Sequence, residues 1–489
     1  MVAPRSPPIR RWRWRAGILT DVAFVELRYG GRAAAGLRGF RAVYLGLPIN
    51  CIIIGWVNLA MTKVLSVTLG WDRLTAVFVG LALTGDYVSL SGLRGVVLTD
   101  LFQFGLAMAG AIAVAVFALR APEVGGLAGL ADSLPADTLR FLPSVSPRDG
   151  ELGGTLTLSL TAFTAYLGVQ WWANWYPGQE PGGGGYLAQR MMSARDERHS
   201  VQATLWFTLA HYCLRPWPWI VAGLCALVLY PDLGDPEAGY ALLIRDQLPD
   251  GCEFVAASMS TMSTQFNWGA SYLVHDVYAR FIRPEADDAH YVRVARITTL
   301  IIMVNSAGVT LYLDSIRQAW EFILEAGAGI GLVLILRWYW WRSNAWSEMT
   351  ALVAPILGYA WLTRYTSVAF PDTLMVLVGW STVSWLAVTW MTAPETDATL
   401  VAFYLRAHPG GPGWARIADL AGTPRLASIR GQVVEWIAGV ILTSATLFGI
   451  GALVIPGHRG GMFLLALAVA MGTFPYRRFA SRGWASLTT

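Results

Sequence analysis

Long apolar runs dominate the chain, and most of them are close to the length that crosses a bilayer. About 20 apolar residues span the hydrocarbon core as a helix. Twelve runs approach or exceed that length, at residues 39–64, 74–91, 95–119, 154–176, 202–230, 252–275, 293–313, 317–341, 348–366, 373–393, 432–455 and 461–476. Polar stretches separate them. The pattern predicts an all-α polytopic membrane protein with about twelve transmembrane helices.

Changes in polarity divide the chain into four parts. Residues 1–38 are basic and predict a cytoplasmic segment with a short helix at the membrane surface. Residues 39–393 contain ten of the apolar runs and form the predicted core. Residues 394–431 are rich in Pro and Gly and predict a cytoplasmic linker. Residues 432–489 hold two peripheral spans and a basic tail.

The charges between the runs predict the orientation. If the runs alternate, one side collects the arginines Arg28, Arg32, Arg38, Arg41, Arg190, Arg195, Arg198, Arg280, Arg283, Arg337, Arg342, Arg477, Arg478 and Arg482. The acidic loops at about 120–153 and 231–251 fall on the other side. Because arginine is enriched in cytoplasmic loops, we expect both termini to be cytoplasmic in a cell (inner) membrane protein.

Composition supports a membrane protein and narrows the chemistry. The 489 residues are 55% hydrophobic and only 14% charged, with 23 Trp and 18 Tyr that suit interfacial aromatic belts. The four cysteines lack CxxC spacing, so neither a disulfide nor a metal framework is implied. No nucleophile, phosphate-loop or zinc motif is present. We therefore predict a protein that is not an enzyme and needs no organic cofactor, no nucleic acid and no obligate protein partner; its partners are the lipid bilayer and a small-molecule solute.

The segment 257–276 carries closely spaced hydroxyl groups within a run of membrane length. In a helix, Ser260 lies one turn from Ser263 and Thr264, and Thr261 lies one turn from Thr264. Such a stripe of oxygens suits a small hard cation that has lost water. The alternative is that these are small packing residues that hydrogen-bond to carbonyls or to neighbouring helices.

A Pro- and Gly-rich break ends the run at 154–176. Trp171 to Gly178 read WWANWYPG, and four glycines follow at 182–185. Irregular backbone at membrane depth is tolerated where it lines a cavity, which in inverted-repeat transporters is the solute site. The alternative is that the break is only the exit from the membrane.

Acidic residues also lie within or beside the apolar runs. Asp100 begins the run at 95–119, and Asp86 lies near the end of the run before it. Glu321 and Glu325 are one turn apart in the run at 317–341. Burying such groups costs roughly 3 kcal/mol or more, so they usually face a wet interior or a partner. Glu325, which is followed by Ala-Gly-Ala-Gly, is the strongest candidate for an acid that faces a cavity.

Four stretches resemble the sodium:solute symporter family, which includes sodium-coupled sugar, proline, pantothenate and iodide carriers. They are SGLRGVVLTDLFQF at 91–104, YLAQRMMSARDERHSVQATLW at 186–206, MSTMSTQFNWGASYLVHDVYARF at 259–281 and LRWYWWRSNAWSEM at 336–349. The resemblance implies a LeuT-like fold of two inverted five-helix repeats with broken helices, plus peripheral helices.

The resemblance also implies roles for individual residues. In MSTMST, the coupling Na⁺ would bind the Ala257 carbonyl and the Ser260 and Thr261 hydroxyls. In TDLFQ, Asp100 would help Na⁺ leave toward the cytoplasm. In WANWYPG, Asn174 would contact the solute.

Gate and specificity residues follow from the same motifs. Trp175 and Tyr176 are the gate candidates, although Pro177 stands where a bulky gate residue is expected. On a helix that often supplies a polar solute contact, this sequence has Leu324 beside Glu325. That difference predicts altered solute chemistry, such as a cationic or polyol-like solute.

The front of the chain departs from the family pattern. Family members carry two or three spans before the region that matches ELRYGG, among them the first broken helix, which supplies the rest of the sodium site. We therefore expect an N-terminally truncated fold in which residues 39–393 form the transporter core without that helix. An upstream in-frame extension encoding those spans would restore the complete transporter.

The preferred hypothesis is sodium-coupled symport of a small polar organic solute by alternating access. The alternative is a truncated or degenerate membrane protein that binds or senses a solute without transporting it. A membrane-embedded enzyme has the least support, because no catalytic constellation is visible.

Overall fold

The structure is a computed structural model that describes residues 20–146, 157–174, 185, 191, 194–195, 197–249, 261–423 and 430–482. It is mostly helical. In the first half the helices are α1 Phe24–Arg28, α2 Gly31–Tyr44, α3 Asn50–Leu69, α4 Arg73–Arg120, α5 Gly126–Ser133, α6 Leu160–Thr164, α7 Gln170–Ala173, α8 Glu197–Thr208, α9 Pro216–Leu229 and α10 Gly239–Gln247. Strands β1 Ser144–Ser146 and β2 Thr157–Ser159 form one short parallel pair.

The second half is helical in all its described elements. These are α11 Thr261–Ser271, α12 Asp288–Tyr312, α13 Ile316–Ala326, α14 Ile330–Tyr339, α15 Ala345–Tyr365, α16 Asp372–Met391, α17 Asp397–Ala407, α18 Ala415–Leu420, α19 Arg430–Val454 and α20 Gly461–Arg482. Short 3₁₀ turns at Pro236–Ala238 and Pro412–Trp414 precede α10 and α18.

Six helices in the described ranges are long and apolar enough to cross a membrane: Gly31–Leu69, Leu98–Arg120, Arg198–Leu229, Asp288–Tyr312, Asp372–Met391 and Val433–Val454. Three shorter apolar helices join them, at Arg73–Ala82, Ile330–Tyr339 and Gly461–Arg477. Many large side chains on these helices are exposed on the protein surface, among them Phe102, Val304 and Met391. Apolar faces of this kind suit contact with lipid, and the chain is an integral multi-pass membrane protein.

One expected turn is absent. The apolar runs at 74–91 and 95–119 were predicted as two spans, but α4 is a single helix from Arg73 to Arg120. No proline lies in this stretch, and isolated glycines such as Gly92 cost a helix only about 1 kcal/mol each. At ~1.5 Å per residue, the helix is more than twice as long as the hydrocarbon core is thick. The cytoplasmic placement of both termini, which assumed simple alternation, stays a prediction.

Several spans contain π-helical segments instead of uniform α-helix. They lie at Leu45–Ile49, Ala165–Val169, Leu209–Leu214 and Tyr272–Ile282. Pro48 lies inside the first, and Pro216 lies two residues after the end of the third. Proline has no backbone N–H and disturbs the regular ladder, which accounts for these two segments.

The run at 317–341 is broken in its middle. Helix α13 ends at Ala326, and α14 begins at Ile330. Gly329 between them has φ +82°, a left-handed conformation that suits glycine. A side chain could not be accommodated there, because a Cβ on Gly329 would lie 2.6 Å from the Ser381 side chain.

Helix α11 carries the hydroxyl groups of Thr261, Ser263 and Thr264. It packs against α3, α4 and α12, which also pack against one another. Their shared core includes Ile54, Leu81, Phe266 and Ile302. Gly269 allows α11 to approach the π-helical segment Leu45–Ile49 and the start of α3 closely. A Cβ on Gly269 would lie 2.8 Å from the Gly46 carbonyl oxygen and 2.2 Å from Asn50 Nδ2. This packing positions α11 against α4.

The described start of the chain, from Thr20 to Arg28, packs against other parts of the protein. Helix α1 was expected at the membrane surface, but Phe24, Val25 and Arg28 are buried. Phe24 packs with Phe403 and Trp414 from the region predicted as a linker, which contains α17 and α18. The linker region therefore forms a small aromatic core with the start of the described chain.

Candidate functional site

The hydroxyl stripe is only partly covered by the structure. Ala257 and Ser260, which were predicted to bind Na⁺, lie outside the described residues. Thr261 is the first residue of α11, and Ser263 and Thr264 follow in its first turn. The helical conformation expected for this segment is present from Thr261 onward.

Asp100 lies directly against this stripe. Its carboxylate accepts hydrogen bonds from Ser263 Oγ at 3.2 Å and from Thr264 Oγ1 at 3.0 Å. The three residues bring a negative charge and two hydroxyl oxygens together between α4 and α11. Carboxylate and hydroxyl oxygens are suitable ligands for a small hard cation. Two residues that sequence analysis singled out for sodium chemistry, Asp100 and Thr261, thus lie on helices that touch at this cluster.

Asn174 lies where α7 ends. Its backbone is extended, at φ −94° and ψ 151°, and forms an antiparallel bridge with Ala328 in the break between α13 and α14. Asn174 Nδ2 donates to the Leu324 carbonyl at 3.0 Å. Its side-chain oxygen, Oδ1, is buried and has no hydrogen-bond partner among the described residues. The interrupted run at 154–176 and the break at 327–329 therefore meet at this asparagine.

Glu325 lies beside the same break. It is only 5% exposed, and Thr373 from α16 donates a hydroxyl hydrogen bond to its carboxylate. The gate candidates Trp175 and Tyr176 lie outside the described residues. The structure thus brings Asn174 and Glu325 to the same helix break, and both are buried.

Some site residues were not found by sequence reasoning. Thr373 lies 48 positions from Glu325, and no local pattern connects the two. The pairing of Asp100 with Ser263 and Thr264 was also missed, although each side was identified separately. The break at 327–329 did have a signal, because Gly327 and Gly329 interrupt an apolar run.

A buried network of charges, also not predicted, anchors the described start of the chain. Arg41 lies 3.5 Å from Glu348 Oε2 and 3.7 Å from Asp21 Oδ2. Tyr29 donates to Glu348 at 2.7 Å, and Tyr272 donates to Asp21. These contacts join the chain before α3 to α15, through Glu348, and to the π-helical segment Tyr272–Ile282 that follows α11.

Asp276 extends the same network. Thr20 Oγ1 donates to its carboxylate at 2.6 Å, and Arg38 Nε donates to it at 2.8 Å. Arg38 also pairs with Glu26, which in turn binds Arg280. Each carboxylate of the network has at least one arginine partner, as buried charges require.

The described ranges contain no group of three or more His, Cys, Asp or Glu residues that could hold a metal ion. A cation in this part of the chain would be bound by hydroxyl, carbonyl and single carboxylate oxygens. That donor set suits an alkali cation better than a transition metal.

Comparisons with known proteins concern the family and the fold. The profile of the sodium:solute symporter family matches residues 11–358. The chain is 24% identical to a sodium/mannose cotransporter of Bos taurus, over 69% of this chain and 61% of that protein. It is 25% identical to a sodium/glucose cotransporter of Vibrio parahaemolyticus, over 73% of this chain and 68% of that protein.

Further comparisons concern a proline transporter and a solved structure. The chain is 26% identical to the osmoregulated proline transporter of Bacillus subtilis, over 60% of this chain and 58% of that protein. It spans about half to two thirds of the length of the curated relatives it matches. Its fold is similar to that of a Na⁺-coupled sialic acid symporter, with a TM-score of 0.60, 15% identity and coverage of 79% of this chain and 80% of that one. This likeness confirms the predicted LeuT-like fold.

Proposed function

The chain belongs to the sodium:solute symporter family, and we propose that it transports a small polar organic solute together with Na⁺ by alternating access. The observation that carries the proposal is the contact of the Asp100 carboxylate with the Ser263 and Thr264 hydroxyls. It brings a carboxylate and two hydroxyl oxygens to the first turn of the helix that begins at Thr261, one of the predicted sodium ligands. Two of the relatives are sodium/sugar cotransporters, and the structural neighbour is a Na⁺-coupled symporter.

The sodium path has two parts in this proposal. Na⁺ binds the Ala257 carbonyl and the Ser260 and Thr261 hydroxyls, as the family resemblance implies. The cluster of Asp100, Ser263 and Thr264 lies one helical turn further along and offers the next set of oxygens. Na⁺ leaves toward the cytoplasm past this cluster, and the Asp100 carboxylate compensates its charge along the way.

The solute binds where the helices are interrupted. Asn174, Glu325 and the gate candidates Trp175 and Tyr176 line the cavity. Interrupted helices leave backbone groups free to bind ions and polar solutes, and rocking of the repeats around the site exposes it to each side in turn. Na⁺ favours the outward-facing state because its ligands are best assembled there.

The energies involved are modest but sufficient. Coupling between two sites is typically ~1–3 kcal/mol, which changes affinity about 5- to 150-fold. Each Na⁺ that moves down the membrane potential contributes about 2.3 kcal/mol per 100 mV. A single ion can therefore concentrate a solute substantially across the membrane.

Uptake into proteoliposomes tests the proposal. The purified chain is reconstituted and assayed with labelled glucose, mannose and proline under an inward Na⁺ gradient, with K⁺ as the reference cation. We expect Na⁺-dependent uptake of at least one solute, and at least tenfold less after Thr261→Ala or Asp100→Asn.

Thr363→Ala is the matched control. Its hydroxyl is exposed on α15 and, within the described part of the chain, bonds to the Tyr359 and Ala360 carbonyls of its own helix. Uptake that is indifferent to Na⁺ and to both site substitutions would falsify the symport mechanism. Na⁺-dependent solute binding without uptake would instead support a protein that binds solute without transporting it.

A further inference from the structure

Buried carboxylates in the described part of the chain follow a pattern with one exception. Four are buried: Asp21, Asp276, Glu325 and Glu348. Asp21 and Glu348 pair with Arg41, and Asp276 pairs with Arg38. Among the described residues, no arginine, lysine or histidine forms an ion pair with Glu325. Its only hydrogen bond there comes from the Thr373 hydroxyl.

An ionised carboxylate without a cation is costly in such surroundings. Removing one partner of a buried ion pair is strongly destabilising, because the remaining charge is uncompensated. The acid one turn earlier illustrates the difference: Glu321 pairs with Arg317 at 2.8 Å. Glu325 has no such partner within the described protein, and the missing positive charge must come from elsewhere if the residue is ionised.

Two further features around Glu325 favour a positive charge. Glu325 lies in the last turn of the eleven-residue helix α13, where the C-terminal end of the helix dipole is negative. Asn174, which bonds to the neighbouring Leu324 carbonyl, keeps its Oδ1 acceptor buried without a donor. A carboxylate, an amide oxygen and a helix C-terminus thus occur together at one break, and all of them attract hydrogen-bond donors with positive charge.

We infer that the transported solute carries a compact ammonium group, and that Glu325 binds this group at the break between α13 and α14. The inference rests on the proposed function, since it concerns the solute of that same site. An ammonium has three donors and no acceptor. It can therefore bind the Glu325 carboxylate and compensate the buried charge. Asn174 Oδ1, which has no donor among the described residues, is a further acceptor at the same break.

Paired probes that differ in charge test the inference. Binding to the full-length chain in nanodiscs is measured by thermal shift and titration at pH 6.5. Glucosamine is compared with glucose, and prolinol with tetrahydrofurfuryl alcohol, which has an ether oxygen in place of the ring ammonium. In at least one pair we expect the cationic probe to bind ten or more times more tightly than its partner. Glu325→Gln, which removes the charge and keeps the shape, should abolish the preference.

Glu321→Gln is the matched control on the same helix, and its cationic preference should stay within twofold of the parent chain. Glu325→Asp, which keeps the charge, provides a second variant in case the Gln protein does not fold. It should still prefer the cationic probe. Measurements on the unsubstituted chain are sufficient to overturn the inference. They do so if neither cationic probe binds, or if neither binds more tightly than its uncharged partner.

The remaining outcomes separate this inference from the proposed symport. All titrations are repeated with K⁺ in place of Na⁺. A preference that survives in Glu325→Gln overturns the role of Glu325, even if binding depends on Na⁺. A preference that requires Glu325 but is equal in Na⁺ and K⁺ supports the ammonium site and contradicts sodium coupling. If Glu325→Gln loses Na⁺-induced stabilisation instead of probe preference, Glu325 binds Na⁺ and the ammonium site is overturned.

Discussion

At the scale of single residues, Arg28 shows how this protein accommodates a fully buried charge. Its guanidinium donates to the carbonyls of Arg337, Trp340, Trp341 and Ser343, at 3.0–3.2 Å. It also lies over the rings of Tyr29, Phe403 and Trp414. The side chain thereby caps the C-terminus of α14 and joins it to the N-terminal segment.

Arg28→Lys should destabilise the protein although the charge is kept. A lysine ammonium cannot reproduce the planar arrangement of N–H donors in the arginine guanidinium, or the stacking of that group on aromatic rings. We expect a loss of about 2–4 kcal/mol in the free energy of unfolding, since each lost bond to a charged donor is worth ~1.5–3 kcal/mol. Thermal unfolding in detergent measures the effect. Arg140→Lys, an exposed arginine that pairs with Asp137, should change stability by less than ~1 kcal/mol. Equal melting temperatures for the two variants would contradict this role of Arg28.

Sequence reasoning at this scale found residues but not their pairings. Asp100 and the hydroxyls of 257–276 were identified separately, because each is unusual within an apolar run. Their contact joins residues 163 and 164 positions apart and has no local signature. The same is true of Arg28, whose burial was not predicted, since a basic N-terminal segment usually lies in water or on the membrane surface.

At the scale of elements, the interrupted helices matter most. The run lengths predicted most helical segments, because hydrophobic length is a local property of the chain. The turn expected between residues 91 and 95 does not form, and the break at 327–329 was not predicted. Glycines lie at both places, and glycine permits a break in a helix without requiring one.

Gly329→Ala should disrupt the break. The left-handed backbone costs a non-glycine residue about 1–2 kcal/mol, and the added Cβ would lie 2.6 Å from the Ser381 side chain. We expect a lower melting temperature and at least a fivefold loss of Na⁺-dependent uptake, because Glu325 and Asn174 both depend on this geometry. Gly308→Ala is the control: it lies within α12 and has open space around it. Its stability should be unchanged or slightly higher. An unchanged melting temperature and unchanged uptake in Gly329→Ala would show that the break does not require the left-handed backbone at this residue.

At the scale of the whole molecule, Glu237 links segments that are distant in the chain. Its carboxylate binds Lys63 Nζ at 2.6 Å and accepts from the Ser315 hydroxyl at 2.9 Å. It also accepts from the backbone N–H groups of Ile316 and Arg317 at the start of α13. A loop residue thus holds the end of α3 against the helix that carries Glu325.

This link predicts a pH dependence. Burial alone would raise the pKa of Glu237, but the hydrogen bonds from Lys63, Arg317, Ser315 and Ile316 outweigh it and lower the pKa below its usual 4.5. A lowered pKa means that Glu237 contributes its full stabilisation above about pH 4.5, and that this is lost as the pH falls through the lower, folded-state value. The chain should therefore melt at a higher temperature than Glu237→Gln at pH 7, and the difference should shrink below pH 4.5.

Melting curves from pH 7 to pH 3 measure this difference. Asp397→Asn, in an exposed pair with Arg416, is the control and should differ little from the parent chain throughout. A difference in melting temperature between the parent chain and Glu237→Gln that stays constant down to pH 3 would contradict the stabilising role of the ionised Glu237 carboxylate.

The sequence by itself determined the properties that depend on neighbouring residues. Run length and polarity predicted a helical membrane protein, the hydroxyl stripe at 257–276 suited a cation, and the motifs indicated the family. Only the tertiary structure decided which of these features meet. Asp100 reaches Ser263 and Thr264, and Asn174 reaches Leu324, across 150 or more positions. Such contacts depend on how distant helices pack, and the absence of an ion-pair partner for Glu325 among the described residues became visible only once its surroundings were assembled.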